Sequence, residues 1–414
     1  MQLVMAWRNI WRNPKRTLII LTAVIIGAWS MVFFGALSRG MMQSMLDNSL
    51  RTLTGHIQIQ QKDYSDDPVV ENRIENVAPV IELLENELPE GAKWGLRLAV
   101  NGVASNAHDA KSVTIVGIDP AREPELSFYG DHLEAGRLLK DGEMNGILVG
   151  KELLDMFETK LKRKIVLMTQ GADGETQSRA FKIRGVYRAE LSDTEKRYVF
   201  ITLSAARALL GIEGGATAAC IQLAEREDVE GVVQKLQVLL EEKQGGKTVD
   251  VGLTVRPWQE MLPILTGYLT MFDSFMLLWY LVVFVAMGFG IVNTTLMAVL
   301  ERIREYGLLK ALGMKPAGII KSVLTECCIL LLLGIFAGDL LGGLTVVSLS
   351  GGIDLSFMAQ GAEYLGMSHL IIPVLQLGDL LTVNGIIFIL GMAVCLYPAL
   401  KAGKITPVQA MSHQ

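Results

Sequence analysis

The chain has 414 residues, of which half are hydrophobic and a fifth are charged, with a net charge of −5. That composition excludes an ordinary soluble globular chain and requires apolar and polar stretches to be segregated. The net charge is too small to point to nucleic acid or to any other partner, so the useful charge signal is local.

Residues 1–16, MQLVMAWRNIWRNPKR, place Trp7 and Trp11 four apart, as they do Arg8 and Arg12. This predicts an amphipathic helix at the membrane interface, tryptophans at headgroup depth and arginines facing phosphate. Asn13-Pro14 ends it. Residues 17–38 form the first span, uncharged from Thr17 to Leu37. It is long enough for a hydrocarbon core of about 30 Å, and it lacks a clear A-x-A cleavage site, so it is read as a retained anchor rather than a signal peptide. Helical spacing (Met42, Met45, Leu46, Leu50, Leu53) continues it as a stalk.

Residues 39–267 form an ectodomain. From Gly55 a strand (His56–Gln60), a loop, a helix (Arg73–Leu88) and two strands (Leu96–Ser105, Val113–Gly117) follow in order. The pattern recurs as a strand (Ala219–Leu223), a helix (Glu227–Lys243) and a strand (Thr248–Val255). These predict a pseudo-symmetric α/β layer over about 55–118 and 215–256. A mostly β part over about 119–214 is inserted in it. Its strands are Gly146–Val149, Lys164–Thr169, Ala180–Arg188 and Tyr198–Thr202, with short helices at Gly150–Phe157 and Ser204–Leu210 and turns such as GADGE. ELSDTEKRY (Glu190–Tyr198) is read as a solvated hairpin tip, with a partner-binding loop as the alternative.

Residues 268–300 make the second span, 319–350 the third and 380–400 the fourth. Asp273 sits near the outer edge of the second. Asp339 lies inside the third among Gly338, Gly342 and Gly343. A helix-packing hydrogen bond, an interfacial position or a proton relay are the readings for Asp339. The glycines predict a packed dimer interface. Lysine and arginine are concentrated in residues 1–16, in the coupling segment 301–318 and just beyond it, and in the tail 401–414. They are absent from loop 351–379. Both termini and the coupling segment are therefore expected in the cytoplasm, with residues 39–267 outside.

Asn293–Leu324 gathers the charge of the C-terminal half. Leu296, Val299, Leu300, Ile303 and Tyr306 share one arc of a helix, and Glu301, Arg302, Arg304 and Glu305 the other. Lys310 falls on the apolar arc, which predicts a turn after Gly307, a second helix ending near Gly313 and a third starting at Pro316.

No Walker sequence, serine elbow or H-E-x-x-H occurs. LSGG (Leu349–Gly352) follows a span and is taken as chance. Cys327, Cys328 and Cys395 lie in spans and Cys220 stands alone outside, as small buried side chains; no spacing of cysteines and histidines suits a metal. The chain is expected to perform no covalent chemistry.

NTTLMAVLERIREYGLLKALGMKPAGII, YPALKAGKITPVQAM (Tyr397–Met411) and RNIWRNPKRT (Arg8–Thr17) resemble, in order and over the whole chain, the motifs of the FtsX/LolE/MacB-type permeases of ABC transporters. GHIQI, VGIDP and LVGKELLDMF resemble the lipoprotein-releasing LolC/LolE branch. The resemblance implies an α-helical membrane protein with four transmembrane helices and a Porter/Sabre-like α/β + β ectodomain between helices 1 and 2, in a bacterial inner membrane. It implies mechanotransmission: two permease subunits, self or sister, driven by a cytoplasmic ABC ATPase dimer that alone holds ATP and Mg, with a periplasmic carrier or adaptor and membrane lipids as further partners. It assigns ATPase docking to Glu301, Arg302, Arg304, Glu305, Tyr306, Gly307, Lys310, Ala311, Leu312 and Gly313, with Gly307 and Gly313 making turns. Tyr306 stands where the family usually has isoleucine. A substrate groove is expected between helices 1 and 2 at Phe33, Phe34, Met41, Met42, Tyr268 and Phe272. Lipoprotein or lipid extraction is the leading function. Efflux through an adaptor and duct, and a regulatory permease that transports nothing, are the alternatives.

Overall fold

The computed structural model describes residues 2–224, 228–245, 250, 252–354 and 370–405. Glu227, the start of the strand expected from Thr248, most of loop 351–379 and the tail motif beyond Ile405 lie outside the described residues. The chain divides into a helical unit (Met1–Gln43, Tyr268–Asp354, Leu370–Gln414) and a second unit (Ser44–Gly267, Leu355–His369).

In the helical unit, α1 (Gln2–Arg12) leads into α2 (Pro14–Ser49), whose last residues belong to the second unit. Pro263–Glu301 and Pro316–Ser348 are two further long helices, here α9 and α11, and Leu377–Lys404 is α12. All four long helices are apolar enough to cross a membrane. Three of them start on a proline, where the missing N–H costs nothing and the fixed φ suits the first turn.

Glycine sets how closely they approach. A Cβ on Gly334, Gly338 or Gly342 of α11 would come within 2.5 Å of Val24, 2.6 Å of Ala28 and 2.8 Å of Val32 on α2. At Gly338 and Gly342 the close packing expected of a dimer interface is therefore a contact inside the chain, whereas Gly343 meets nothing within 4 Å. Gly334, Gly338 and Gly342 recur every fourth residue and lie on one face of α11, which α2 of the same chain covers. α2 also packs on α9: Gly27 meets the Met287 sulfur, and the rings of Phe34 and Trp279 lie 4.8 Å apart. Asp339 Oδ2 accepts a hydrogen bond from Asn384 Nδ2 of α12 at 2.7 Å, which is the helix-packing role.

The second unit is built on one ten-stranded sheet, and its strands are numbered in chain order. They are β1 (Ile57–Gln61), β2 (Lys93–Ser105), β3 (Ala110–Ile118), β4 (Leu133–Gly136), β5 (Gly146–Gly150), β6 (Lys164–Gln170), β7 (Thr176–Tyr187), β8 (Tyr198–Thr202), β9 (Ala218–Gln222) and β10 (Leu253–Pro257). The order β10-β1-β9-β2 makes the two expected strand–helix–strand units neighbours. Their helices, α3 (Ala78–Glu87) and α7 (Val229–Gly245), share one core through Leu83, Leu84, Leu236 and Leu240, while the short helices α6 (Leu203–Leu210) and α8 (Trp258–Met261) follow β8 and β10. The helix expected from Arg73 starts only at Ala78, because Ile74 is bridged to Ala216 and Pro79 fits only a first turn. The inserted part is not a separate sheet. β2 pairs with β9 over Lys93–Arg97 and with β3 from Leu98 onward, and so carries the ladder from one core to the next.

ELSDTEKRY is no solvated tip. It folds into α5 (Ser192–Arg197), with Thr194 and Glu195 buried. Glu195 accepts from the backbone N–H of Glu152 at 3.0 Å and of Ala189 at 2.9 Å, so the loop is tied to the start of α4 (Lys151–Met156). A second buried charge had no pattern to announce it. Arg97 and Glu123 are 3% and 1% exposed and pair at 2.7 Å, and Arg97 Nη1 also donates to the carbonyl of Leu53 at 2.5 Å. Leu53 has φ +69°, a left-handed turn that leucine rarely takes, and Arg97 holds it there.

Candidate coupling surface

Between α9 and α11 lies α10 (Ile303–Ala311). The break before it falls at Arg302 (φ −103°, ψ 13°), and the helix runs through Gly307, which is buried. The turn expected after Gly307 is thus misplaced. Periodicity put Arg302 on the wet face because it is charged, but its partner comes from another helix. Arg302 Nη1 donates to both Glu326 oxygens of α11, at 3.1 and 3.2 Å, and Arg302 is 6% exposed. Burial alone would lower the guanidinium pKa, and the Glu326 carboxylate more than offsets it. Asn9 of α1 donates to Glu326 Oε1 at 2.7 Å.

The other carboxylates are shared with α1 and α2. Arg12 meets Glu305 at 2.6 Å and Arg16 meets Glu301 at 3.4 Å. Of the two arginines expected to face lipid phosphate, Arg12 thus pairs with a protein carboxylate, while Arg8 is exposed, as are Trp7 and Trp11. Both pairs involve a carboxylate open to solvent, so each contributes about 1 kcal/mol or less and is exchangeable for another contact.

Lys310 did not signal a break. Its Nζ donates to the carbonyls of Gly403 and Ile405 at 2.6 and 2.7 Å, the open C-terminal end of α12. Tyr306 is buried, and burial raises its phenol pKa first of all. Only Gly313 makes a turn. At φ +93° its N–H reaches Lys310 O, and Met314 N–H reaches Leu309 O, the paired bonds of a Schellman end.

The outer face of α10 and its end remain open: Arg304, Leu308, Ala311, Leu312, Gly313 and Met314 are exposed, Leu308 at 63% and Leu312 at 76%. Leu308 was absent from the sequence-based set, although its spacing of four from both Arg304 and Leu312 could have found it. An apolar pair at that spacing, flanked by charge, is what a helix presents to a groove. So the expected set divides. Arg302, Tyr306, Gly307 and Lys310 hold the segment in place, Glu301 and Glu305 are shared with Arg16 and Arg12, and Arg304, Ala311, Leu312 and Gly313 face outward.

Of the expected groove residues, Phe34 packs on Trp279 and Phe33 stacks on Trp29 of its own helix, 6.1 Å between centroids. Met41 and Phe272 are half-buried and Tyr268 is exposed. Met42 alone lines a cavity of about 220 Å³ between α2, α9 and α12, with Arg39, Asp273, Met276, Tyr280 and Asp379 among its other walls.

Residues 17–239 match the MacB-like periplasmic core domain and residues 277–407 the FtsX-like permease C-terminal domain. The chain is 22% identical, over 98% of its length and 96% of the relative's, to an uncharacterized ABC transporter permease of Methanocaldococcus jannaschii. It is 21% identical to the lipoprotein-releasing system transmembrane protein LolC of Neisseria meningitidis, covering 75% of each. It is 24% identical to the macrolide export ATP-binding/permease protein MacB of Agrobacterium fabrum, over 99% of this chain and 60% of that one. Among solved structures, the periplasmic region of MacB from Actinobacillus actinomycetemcomitans covers 55% of the chain at 11% identity with a TM-score of 0.36, and 95% of that region is covered. The chain belongs to the ABC transporter permeases that join a MacB-like periplasmic core domain to an FtsX-like permease C-terminal domain.

Proposed function

We propose that the chain is the membrane subunit of an ABC complex that extracts lipoproteins or lipids from the outer leaflet of a bacterial inner membrane by mechanotransmission. Two copies, or this chain and a sister permease, pair in the membrane with both termini in the cytoplasm. A separate ATPase dimer holds ATP and Mg and docks on α10 through Leu308 and Leu312, with Arg304 and the exchangeable carboxylates Glu301 and Glu305 around them. The observation that carries the reading is the division of the coupling segment into a tied inner face and an open outer face with an apolar pair. Arg302 and Lys310 fix α10 to α11 and α12, so a push on its outer face moves those helices with it. The cavity beside Met42 supports an amphiphilic cargo, because apolar and charged walls meet there.

Efflux of a toxin, drug or peptide through a periplasmic adaptor is the second reading. The MacB relative and a pyoverdine export relative, each matched over 99% of this chain, favour it. Purification of the tagged protein in nanodiscs, with mass spectrometry of proteins and lipids, separates the two. Extraction predicts an ATPase with bound lipid or lipoprotein. An ATPase with an adaptor and no lipidated cargo supports efflux, and no ATPase overturns both.

A further inference from the structure

The cavity between α2, α9 and α12 has an unbalanced set of charges. Arg39 forks onto Asp379: Nη2 donates to Oδ1 at 2.7 Å and Nε pairs with Oδ2. That guanidinium and carboxylate neutralise one another. Asp273 lines the same cavity, is exposed, and has no hydrogen-bond or ion-pair partner among the described residues. One cation thus stands against two carboxylates, and the excess is a single negative charge on Asp273.

The three charged residues sit where the sequence changes from apolar to polar. Arg39 follows the uncharged run that ends at Leu37. Asp273 precedes the one that begins at Phe275, and Asp379 precedes the one that begins at Leu380. All three therefore lie at headgroup depth of the same leaflet, while Met42, Met276 and Leu277 supply apolar wall. A group that enters from the leaflet meets apolar surface for chains and one unpaired carboxylate for its head. A carboxylate without a partner favours a cation that can donate hydrogen bonds to it. A quaternary ammonium donates none and needs several aromatic faces, whereas Tyr280 is the one aromatic residue among the described cavity walls.

We infer that this cavity binds the primary ammonium of a two-chain amphiphile, with Asp273 as its counter-ion and the Arg39–Asp379 pair as a neutral rim. The inference rests on the extraction reading and adds a cargo class to it. The ammonium has two sources, the headgroup of an ethanolamine phospholipid or the free α-amine of a diacylated lipoprotein.

The test uses the full chain in nanodiscs holding equal amounts of ethanolamine, choline and glycerol phospholipids with the same acyl chains. After transfer to mild detergent, retained lipids are counted by mass spectrometry. A second arm offers a diacylglyceryl-cysteinyl peptide with a free or an acetylated α-amine. Asp273→Asn keeps the shape of an exposed, unpaired side chain and so leaves folding intact. The wild type is expected to retain the primary-ammonium ligand about tenfold over its competitors, the effect of one charge-assisted hydrogen bond, and Asp273→Asn to lose that preference. Preference in the phospholipid arm assigns the headgroup, and preference in the peptide arm assigns the lipoprotein. Equal retention of every headgroup and of both peptides by the wild type overturns the ammonium site and leaves extraction standing. Retention of nothing in either arm overturns both.

Discussion

Arg302 and Glu326 are joined by two hydrogen bonds of 3.1 and 3.2 Å from a single guanidinium nitrogen, across the interface of α9, α10 and α11. Asn9 of α1 shares one of the Glu326 oxygens, so three separate stretches of chain meet on one carboxylate. Removing one partner strands a largely buried charge. Arg302→Ala is expected to cost about 3 kcal/mol or more, seen as a fall in the thermal midpoint of the purified protein. Glu326→Gln keeps the shape but not the charge, and is expected to fall less. Equal midpoints for wild type and Arg302→Ala would mean that the pair does not hold the segment.

Leu308 and Leu312 carry the opposite expectation. Both are exposed, so Leu308→Asp removes nothing from the fold and leaves the stability within about 0.5 kcal/mol of wild type. Loss of a buried apolar anchor typically costs an interface about 2 kcal/mol or more. Pull-down of the ATPase subunit by Leu308→Asp is therefore expected to drop by at least about tenfold.

Lys310 ties α10 to the end of α12 through two carbonyls. Lys310→Met keeps the stem and removes the donors. Hydrogen exchange is expected to rise at residues 401–405 and not at the glycine contacts between α2 and α11. ATPase binding is retained while coupling of hydrolysis to cargo release weakens.

His56 makes the second unit sensitive to acid. Burial lowers its pKa, and its Nδ1 accepts the N–H of Leu223 at 3.1 Å, which an imidazolium does not do. The folded state holds the neutral ring, so its contribution is complete above the unfolded pKa of 6.5 and is lost as pH falls through the lower folded value. The thermal midpoint of this unit is expected to fall between about pH 7 and about pH 5. His56→Gln, which does not titrate, is expected to flatten that part of the curve. A wild-type midpoint independent of pH over this range would mean that His56 does not set the acid sensitivity of this unit.

What was legible in the sequence was what repeats or what excludes water. The uncharged runs gave the spans, alternation gave β1 and most later strands, and recurrence of strand, helix and strand gave the two neighbouring units of one layer. What was not legible depended on a partner far along the chain. Arg302 read as wet because Glu326 lies on the next helix, and Lys310 read as a helix breaker because its carbonyl acceptors are at Gly403 and Ile405. Gly338 and Gly342 read as a dimer face because a small-residue stripe shows close approach without naming the neighbour, and that neighbour is α2. Glu195 read as a loop charge although it ties α5 to α4. Within the candidate coupling surface, which side chains face in and which face out is set by these distant pairings.

On the proposed function, the open face of α10 receives a cytoplasmic ATPase. Photo-crosslinking residues placed singly at positions 308, 309 and 312, in membranes of cells making the complete complex, test it most directly. An ATPase-sized adduct is expected from 308 and 312 and none from 309, which packs against the helical core. Adducts from 309 alone, or only to lipid from 308 and 312, would rule out docking at this face.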